Sequence, residues 1–590
     1  MRTLARFAIR HRWYVIGGWL AVIVLIQVLS AAAGGASYKD VFTLPHTETQ
    51  TVLNLLKSHQ QGGQAGPAGT VVVYAKHGRL DPGRPPAGLL PALVKLCPAG
   101  DHIAVMRSPW GSVQCASDGT ATETPPVAIG HSPLLSTDDR VGLIAMTWQV
   151  NQNATDNFVG VHDRLVPLRN SNIGYEFTGT AFSNLANKQK GVPPEILGFG
   201  AALIVLAIVF RTIGAAALPL LSAAAALGSG LGLLALLSHA MNVATFAPQL
   251  AQLMVIGVGV DYALFIVTRH RRNLQRGIPV AESIVLAIDT SGRAVLFAAA
   301  TVCVAVLGLC ALGVTFLYGV ALGTAVAVAL TMVASLTLLP SVLSLLGYRV
   351  LPRRIRRVVQ SGAVGGVEER HTRWAAWSRF LSNHKLPLGT LAAGLIVMLA
   401  VPFFAMRLGR ADQANDPAGS TTRKGYELIA AAPGFGPGYN STLELVVNGP
   451  GAADRGYLTD VARRLAAVHD VNPTSVLPVP IADDLALVTF KTTTSPQDAA
   501  TSDLVRSLRK TFVPALTKGS SNHVYVFGQT AVFVDFARVL SSKMPVFFVA
   551  IIGLSFVLLM LAFRSLVVPL TAAAMNLFAA GASFGVVVAI

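Results

Sequence analysis

The chain has 590 residues, 53% hydrophobic and 13% charged, about half the charge fraction of an ordinary soluble domain, which argues against a soluble globular protein. Forty-six Lys and Arg against 29 Asp and Glu give +17, a balance that suits nucleic acid or an anionic membrane face, so the location of the charge decides. Four cysteines exclude a disulfide scaffold, and the shortness of the low-complexity stretches excludes a largely disordered chain.

From Trp13 to Tyr38 no residue is charged, and Arg2, Arg6, Arg10 and Arg12 precede the apolar run. This predicts a first membrane span. The small residues at 31–36 would also suit signal cleavage, but the run exceeds the usual signal core of about 7–15 residues. The long segment 34–192 follows, with strands expected at 70–75, 141–150 and 175–178 and helices at 89–96 and 156–168. Within it, 62–69 (GGQAGPAG) lacks the Lys-Ser/Thr ending of a phosphate loop and reads as a linker.

A second span is expected at 196–210, entered at Pro193 and Pro194 and closed by Arg211. Residues 212–260 carry no formal charge over 49 positions. That is too long for one crossing of about 20 residues, and breaks at Ser238, His239, Asn242 and Pro248 make it two spans. The amphipathic stretch 278–290, with Ile278, Ala281, Ile284, Val285 and Ile288 on one side, is expected to lie along the inner membrane surface. Residues 294–348 are uncharged over 55 positions and are interrupted at 313–319, so two more spans fit there. The basic cluster Arg349, Arg353, Arg354, Arg356 and Arg357 comes next. Spans at 386–406, 544–563 and 565–590 bring the total to nine. The segment 407–543 predicts strands at 442–447, 485–491 and 523–527 and helices at 457–468 and 497–516. Both long segments suggest small α+β sandwiches of the split βαβ type.

With the N-terminus inside, the inner pieces hold twenty basic residues against four acidic ones, Glu282, Asp289, Glu368 and Glu369. That accounts for nearly the whole excess, as the positive-inside rule requires, and leaves nothing that calls for nucleic acid. The expected domains are 1–33 (inner terminus and first span), 34–192 (outside), 193–348 (five spans), 349–385 (basic inner linker), 386–406 (seventh span), 407–543 (outside) and 544–590 (two spans).

The chain also resembles itself. Arg6, Phe7, His11 and Arg12 match Arg379, Phe380, His384 and Lys385 at an offset of 373. Gly179, Thr180 and Ala181 are echoed by Gly528, Thr530 and Ala531, and Phe210-Arg211-Thr212 by Phe563-Arg564-Ser565. Parallel repeats of this kind are a transporter habit. The first copy has six expected spans and the second reaches three, so the second repeat is expected to be incomplete.

Asp261 lies in Gly257-Val258-Gly259-Val260-Asp261-Tyr262, roughly 12 Å inward of Arg269 at about 1.5 Å per residue. No other carboxylate or amine falls deep in an expected span. A charge at that depth costs on the order of 3 kcal/mol, and no other span offers a Lys or Arg away from its ends to pair with it. The carboxyl is then protonated, reached by water or bonded by hydroxyls, and Tyr262 can donate one such bond. Desolvation favours the neutral form of an acid, so Asp261 with Tyr262 is expected to relay protons. Gly257 and Gly259 are expected to allow close helix packing there.

The run GVGVDYALFIVTRHRR resembles the fourth-span signature of the MMPL (mycobacterial membrane protein large) family of the resistance-nodulation-division (RND) superfamily. Further matches are Phe42, Pro45, Thr47, Glu48 and Gln50 after the first span, Phe210-Arg211-Thr212, and Ser291-Gly292-Arg293. The resemblance covers the whole chain. It implies an RND-type polytopic helix bundle with two extracytoplasmic α+β porter domains. The implied activity is proton-driven export of lipids, lipid-linked metabolites or drugs across an actinobacterial plasma membrane. Two departures stand out. The family's second Asp-Tyr pair would fall past Ile590, and the serine that follows the fifth span's Val-Leu-Phe run is Ala298 here, with Thr301 as the substitute.

Cys97 and Cys115 share the first outside segment and can close a disulfide there or remain free. Cys303 and Cys310 read as small packing residues, and the histidines show no metal spacing. The sequence thus predicts a transporter and not an enzyme, with no cofactor and with protons as the coupling ion. Its partners would be the membrane and an amphiphilic substrate. The alternative is a half-transporter or scaffold that assembles with itself or with a separate C-terminal half.

Overall fold

The computed structural model describes all residues except 39–46, 60–67, 98–102, 117, 126–131, 149–153, 183–184, 186–193, 362–372, 408, 410 and 441. Phe42, Pro45, Pro193, Glu368, Glu369 and 62–67 of the glycine stretch therefore lie outside the described residues. In chain order come α1 (Arg2–Arg10), α2 (Arg12–Ala32), α3 (Glu48–Ser58), β1 (Ala68–Ala75), α4 (Leu89–Val94), β2 (Ile103–Ser108), β3 (Gly111–Cys115), β4 (Ala121–Thr124), β5 (Val141–Trp148), α5 (Ala154–Leu165) and β6 (Ile173–Thr178). Next are α6 (Pro194–Phe210), α7 (Ile213–Ala240), α8 (Ala247–Gln275), α9 (Val280–Leu307), α10 (Thr315–Leu346), α11 (Arg353–Gln360), α12 (Arg373–Asn383) and α13 (Lys385–Ala400). The remainder is α14 (Thr421–Ala431), β7 (Leu443–Asn448), α15 (Arg455–Ala466), β8 (Leu477–Ala482), β9 (Leu485–Phe490), α16 (Ala499–Ser507), α17 (Val513–Thr517), β10 (His523–Gly528), α18 (Gln529–Phe563) and α19 (Val567–Ala589). Two compact units result: Met1–Thr43, Val192–Arg407 and Ser542–Ile590 form one, and Leu44–Gly191 with Leu408–Ser541 the other.

Among the described residues eight helices are long and apolar enough to cross a membrane: α2, α7, α8, α9, α10, α13, α18 and α19. The expected second span, α6, is shorter at 17 residues. Helices α7 to α10 pack on one another, and α2 lies on α7 and α10. Gln27 Nε2 donates to Gly228 O at 2.8 Å and Trp19 Nε1 to Thr337 Oγ1 at 3.0 Å, as polar side chains do between membrane helices. Amphipathic α1 buries Ala5 and Ala8 against α9 and α10, and Arg2 pairs with Asp289 at 2.8 Å.

The stretch 278–290 is not a separate surface helix. Residues 280–290 open the continuous helix α9, and Ser283, Ile284, Ala287 and Ile288 are buried by protein. Ser291 and Gly292 do not break the helix, and a Cβ at Gly292 would lie 3.1 Å from Leu336 Cδ2. Of the apolar stripe that suggested a lipid surface, Ile284 and Ile288 face neighbouring helices.

In the second unit, one sheet has the order β4-β3-β2-β5-β1-β6 and the other β10-β7-β9-β8, with every described pairing antiparallel. In each sheet the first strand is central, between the last strand and the penultimate one, which is the split βαβ arrangement. The first sheet adds the hairpin β3–β4. Alternation explains the cores: Leu443, Leu445 and Val447 of β7 face Leu458, Val461 and Leu504, while Glu444 and Val446 point to the opposite face. Strands β2, β3, β4 and β8 and helices α3 and α14 were not anticipated from sequence.

The free face of each sheet is covered by the helix that opens the other half. Val52 and Leu56 of α3 pack on Val446, Leu487 and Phe527 of the second sheet. Ile429 of α14 packs on Val72, Val141 and Leu143 of the first. The internal repeat is also written in the backbone. His11 (φ −110, ψ 34) and His384 (φ −114, ψ 34) punctuate matching helix pairs. Arg211 (φ 54) and Arg564 (φ 49) share the left-handed conformation, which is uncommon for residues other than glycine. Cys97 and Cys115 are joined in a disulfide.

Candidate functional site

Helix α8 begins with Pro248 in its first turn, where the missing N–H costs nothing. It stops before Gly277 (φ 82) and Pro279. Asp261 stands at its midpoint, ~21 Å from either end at about 1.5 Å per residue. The stripe at i+4 spacing, Leu253, Gly257, Asp261, Phe265 and Arg269, is exposed along its length, and no described residue covers it. Asp261 forms no ion pair and accepts no hydrogen bond among the described residues.

Tyr262 turns about 100° away from Asp261 around the helix. It is 5% exposed and joins Ala263, Ile266, Val295, Ala299 and Leu336 in the core. Its Oη is buried with no partner among the described residues, so the Tyr262–Asp261 bond suggested by their adjacency is not made. The glycines also divide. Gly259 is buried, and a Cβ there would lie 3.0 Å from Thr331 Cγ2 and 3.2 Å from Ala223 Cβ, so it sets the approach of α8 to α7 and α10. Gly257 has nothing within 4 Å and packs against nothing described, contrary to the expectation for it. Thr301 donates to Phe297 O at 2.9 Å and does not reach Asp261.

Sequence reasoning missed the polar clip at the far end of α8. His270, fully buried, has Nδ1 2.8 Å from Ser283 Oγ, which donates to His270 O at 3.0 Å. Asn273 Nδ2 donates to Ser283 O at 3.3 Å. Arg271 donates to Phe210 O at 2.9 Å and lies over the Phe210 ring at 5.0 Å. Polar residues flanking the Gly277–Pro279 turn were the available signal, since a turn between two packed helices brings such residues together.

The second unit holds a charged cluster on the second sheet. Lys491 Nζ donates to Thr442 Oγ1 at 2.6 Å and stands 5.7 Å from the centre of the Tyr439 ring. Glu444 pairs with Thr489 in register, a diagonal neighbour of Lys491 on one face. Burial pushes Glu444 up to about 7, with the charges of Lys491 and Arg107 opposing. Burial pushes Lys491 down to about 8, with Glu444 opposing. No group of three or more His, Cys, Asp or Glu side chains suited to a metal occurs among the described residues.

The model of the MMPL family matches residues 99–388 and 457–590. Membrane protein YdfJ of Bacillus subtilis (strain 168) is 29% identical over 98% of this chain and 76% of its own length. The mycolic acid-containing lipids exporter MmpL11 of Mycolicibacterium smegmatis is 30% identical over 66% of this chain. The trehalose monomycolate exporter MmpL3 of Mycobacterium tuberculosis is 24% identical, also over 66%. The chain spans 41% of that MmpL11 and 44% of that MmpL3. With the family model covering well over half the residues, and with the intramembrane Asp-Tyr helix inside the matched region, the chain belongs to the MMPL family.

Proposed function

We propose that this chain exports lipids, lipid-linked metabolites or drugs across the plasma membrane, driven by the proton gradient, with its N-terminus cytoplasmic, nine spans and the two α+β sandwiches acting as extracytoplasmic porter domains. The observation that carries the reading is Asp261, a carboxylate at the midpoint of an apolar helix with no cation in contact among the described residues. A charge at that depth in a membrane is costly, which favours a role in which the group gains and loses a proton. The relatives named as lipid exporters support an amphiphilic cargo. Replacing Asp261 by Asn removes the titration and preserves the shape. Export measured by lipid and metabolite profiling of cells should be lost, with membrane insertion and expression unchanged. Undiminished export in that variant would refute the relay.

A second reading is a half-transporter or scaffold completed by a second chain or a second copy, and the open stripe around Asp261 favours it. Facing lipid, the ionised form would cost on the order of 3 kcal/mol, which a covering helix would relieve. A cysteine replacing Gly257, cross-linked in native membranes, should capture that helix; an unlinked monomer in every condition counts against this reading.

A further inference from the structure

Arg509, with its side chain 9% exposed, sits between two acids from distant parts of the second unit. Nη1 and Nη2 donate to Asp535 Oδ1 at 2.6 Å and Oδ2 at 3.0 Å, the two-pronged geometry that makes Arg–carboxylate pairs strong. Its Nε stands 2.7 Å from Glu48 Oε2, and Nη2 also donates to Val526 O at 3.2 Å. Glu48 Oε1 accepts from Val526 N at 2.6 Å, and Thr49 Oγ1 donates to Asp535 Oδ2 at 3.0 Å. Asp535 is 2% exposed. Glu48 begins α3, the helix laid across the second sheet, and Asp535 lies in the second turn of α18. Helix α18 runs unbroken for 35 residues, and most of its length is apolar enough to cross a membrane.

The repeat supplies the comparison. Thr421 stands 373 residues after Glu48, the offset that relates Arg6 to Arg379. It begins α14, the helix laid across the first sheet, and its Oγ1 accepts from Phe177 N at 3.1 Å. Phe177 precedes Val526 by 349 residues, the offset between Gly179 and Gly528. The same joint, an opening side chain taking a backbone N–H of the closing strand, is therefore built twice. The position 350 before Asp535 is Leu185; the first-half joint carries its acid on the closing strand instead, where Thr421 Oγ1 donates to Glu176 Oε2 and Arg169 Nη2 stands 3.4 Å from the same oxygen. In the second half the exchanged helix is joined to the following long helix through a buried ion triad.

We propose that Arg509 is a positioning residue for transport: through the Glu48–Arg509–Asp535 triad it makes α3 follow displacements of α18. This rests on the proton-driven reading of Asp261.

The test uses the full chain in lipid vesicles, with hydrogen exchange of α3 as the readout and Asp261→Asn as the perturbation. In the parent background Asp261→Asn should change α3 exchange at least threefold. In E48T/R509M/D535L, which removes the charges of the triad, the change should vanish while thermal unfolding of the protein stays near the parent's. If the triple variant does not fold, Arg509→Lys is used instead; it keeps the charge and loses the fork, and the response should shrink. An equal response in the altered joint, or no response in the parent, overturns the proposal. Export by Asp261→Asn alone separates the two failures. Persistent export sinks the relay reading, whereas lost export with an unresponsive α3 sinks only the joint.

Discussion

The two glycines beside Asp261 allow a contrast that does not depend on any view of transport. A methyl group at Gly259 would lie 3.0 Å from Thr331 Cγ2, 3.2 Å from Ala223 Cβ and 3.4 Å from Ala223 Cα, all inside the optimum of about 3.5–4.0 Å. Thr331 could give way, but Ala223 Cα is backbone, so α7 itself must shift. Overpacking of this kind costs about 1–3 kcal/mol, against a helix-propensity gain for Gly→Ala of up to about 1 kcal/mol. Gly259→Ala is therefore expected to lose about 0–2 kcal/mol, and the larger, β-branched Gly259→Val about 2–3 kcal/mol. At Gly257 nothing lies within 4 Å, so Gly257→Ala should be neutral or slightly stabilising. The assay is the thermal midpoint of detergent-solubilised protein, read as surviving monomer by size-exclusion chromatography. A Gly259→Val protein as stable as the parent, or a Gly257→Ala protein less stable than Gly259→Val, would refute the packing argument.

Two further predictions concern the second unit. Reducing the Cys97–Cys115 bond, which closes a loop of sequence separation 18, should lower stability by about 3 kcal/mol; Cys97→Ser/Cys115→Ser should be equally unstable with or without reductant, measured by denaturant melts. Glu444 is raised from its ordinary 4.5 to about 7, so the folded state holds a proton that the unfolded chain has lost, and stability should fall as pH climbs from 4.5 through 7. Lys491, lowered from 10.5 to about 8, is neutral when folded while still charged when unfolded, so stability should recover as pH rises from 8 towards 10.5. Glu444→Gln should remove the acid-side decline; a pH–stability curve unchanged by that substitution would count against the assignment.

What the sequence made legible was set by the length scale of each signal. Apolar runs of twenty residues announce themselves, which is why the long helices were found, as were β1, β5, β6, β7, β9 and β10 with their alternating cores. Strand β8 (LPVPIA) was hidden by two prolines, suited to the sheet edge it occupies. Helices α3 and α14 were missed because their apolar residues match a sheet hundreds of residues away, so nothing local marked them as core. At the candidate site, Asp261 was visible as a lone acid in an uncharged run. The different exposure of Asp261 and Tyr262, and the different surroundings of Gly257 and Gly259, depend on which neighbours occupy each side of α8. Spacing along one chain does not carry that information. The misread stretch 278–290 is the same lesson, since an apolar stripe does not say whether lipid or protein will meet it.

The reciprocal covering of the sheets has a consequence for biosynthesis. Val72, Val141 and Leu143 are translated long before Ile429, the residue that shields them. At about 5–20 residues per second, the nascent first sandwich waits on the order of 15–60 seconds with an oily face bare. During that interval the face is open to water, so ribosome stalling between the two halves should impair maturation of the first sandwich.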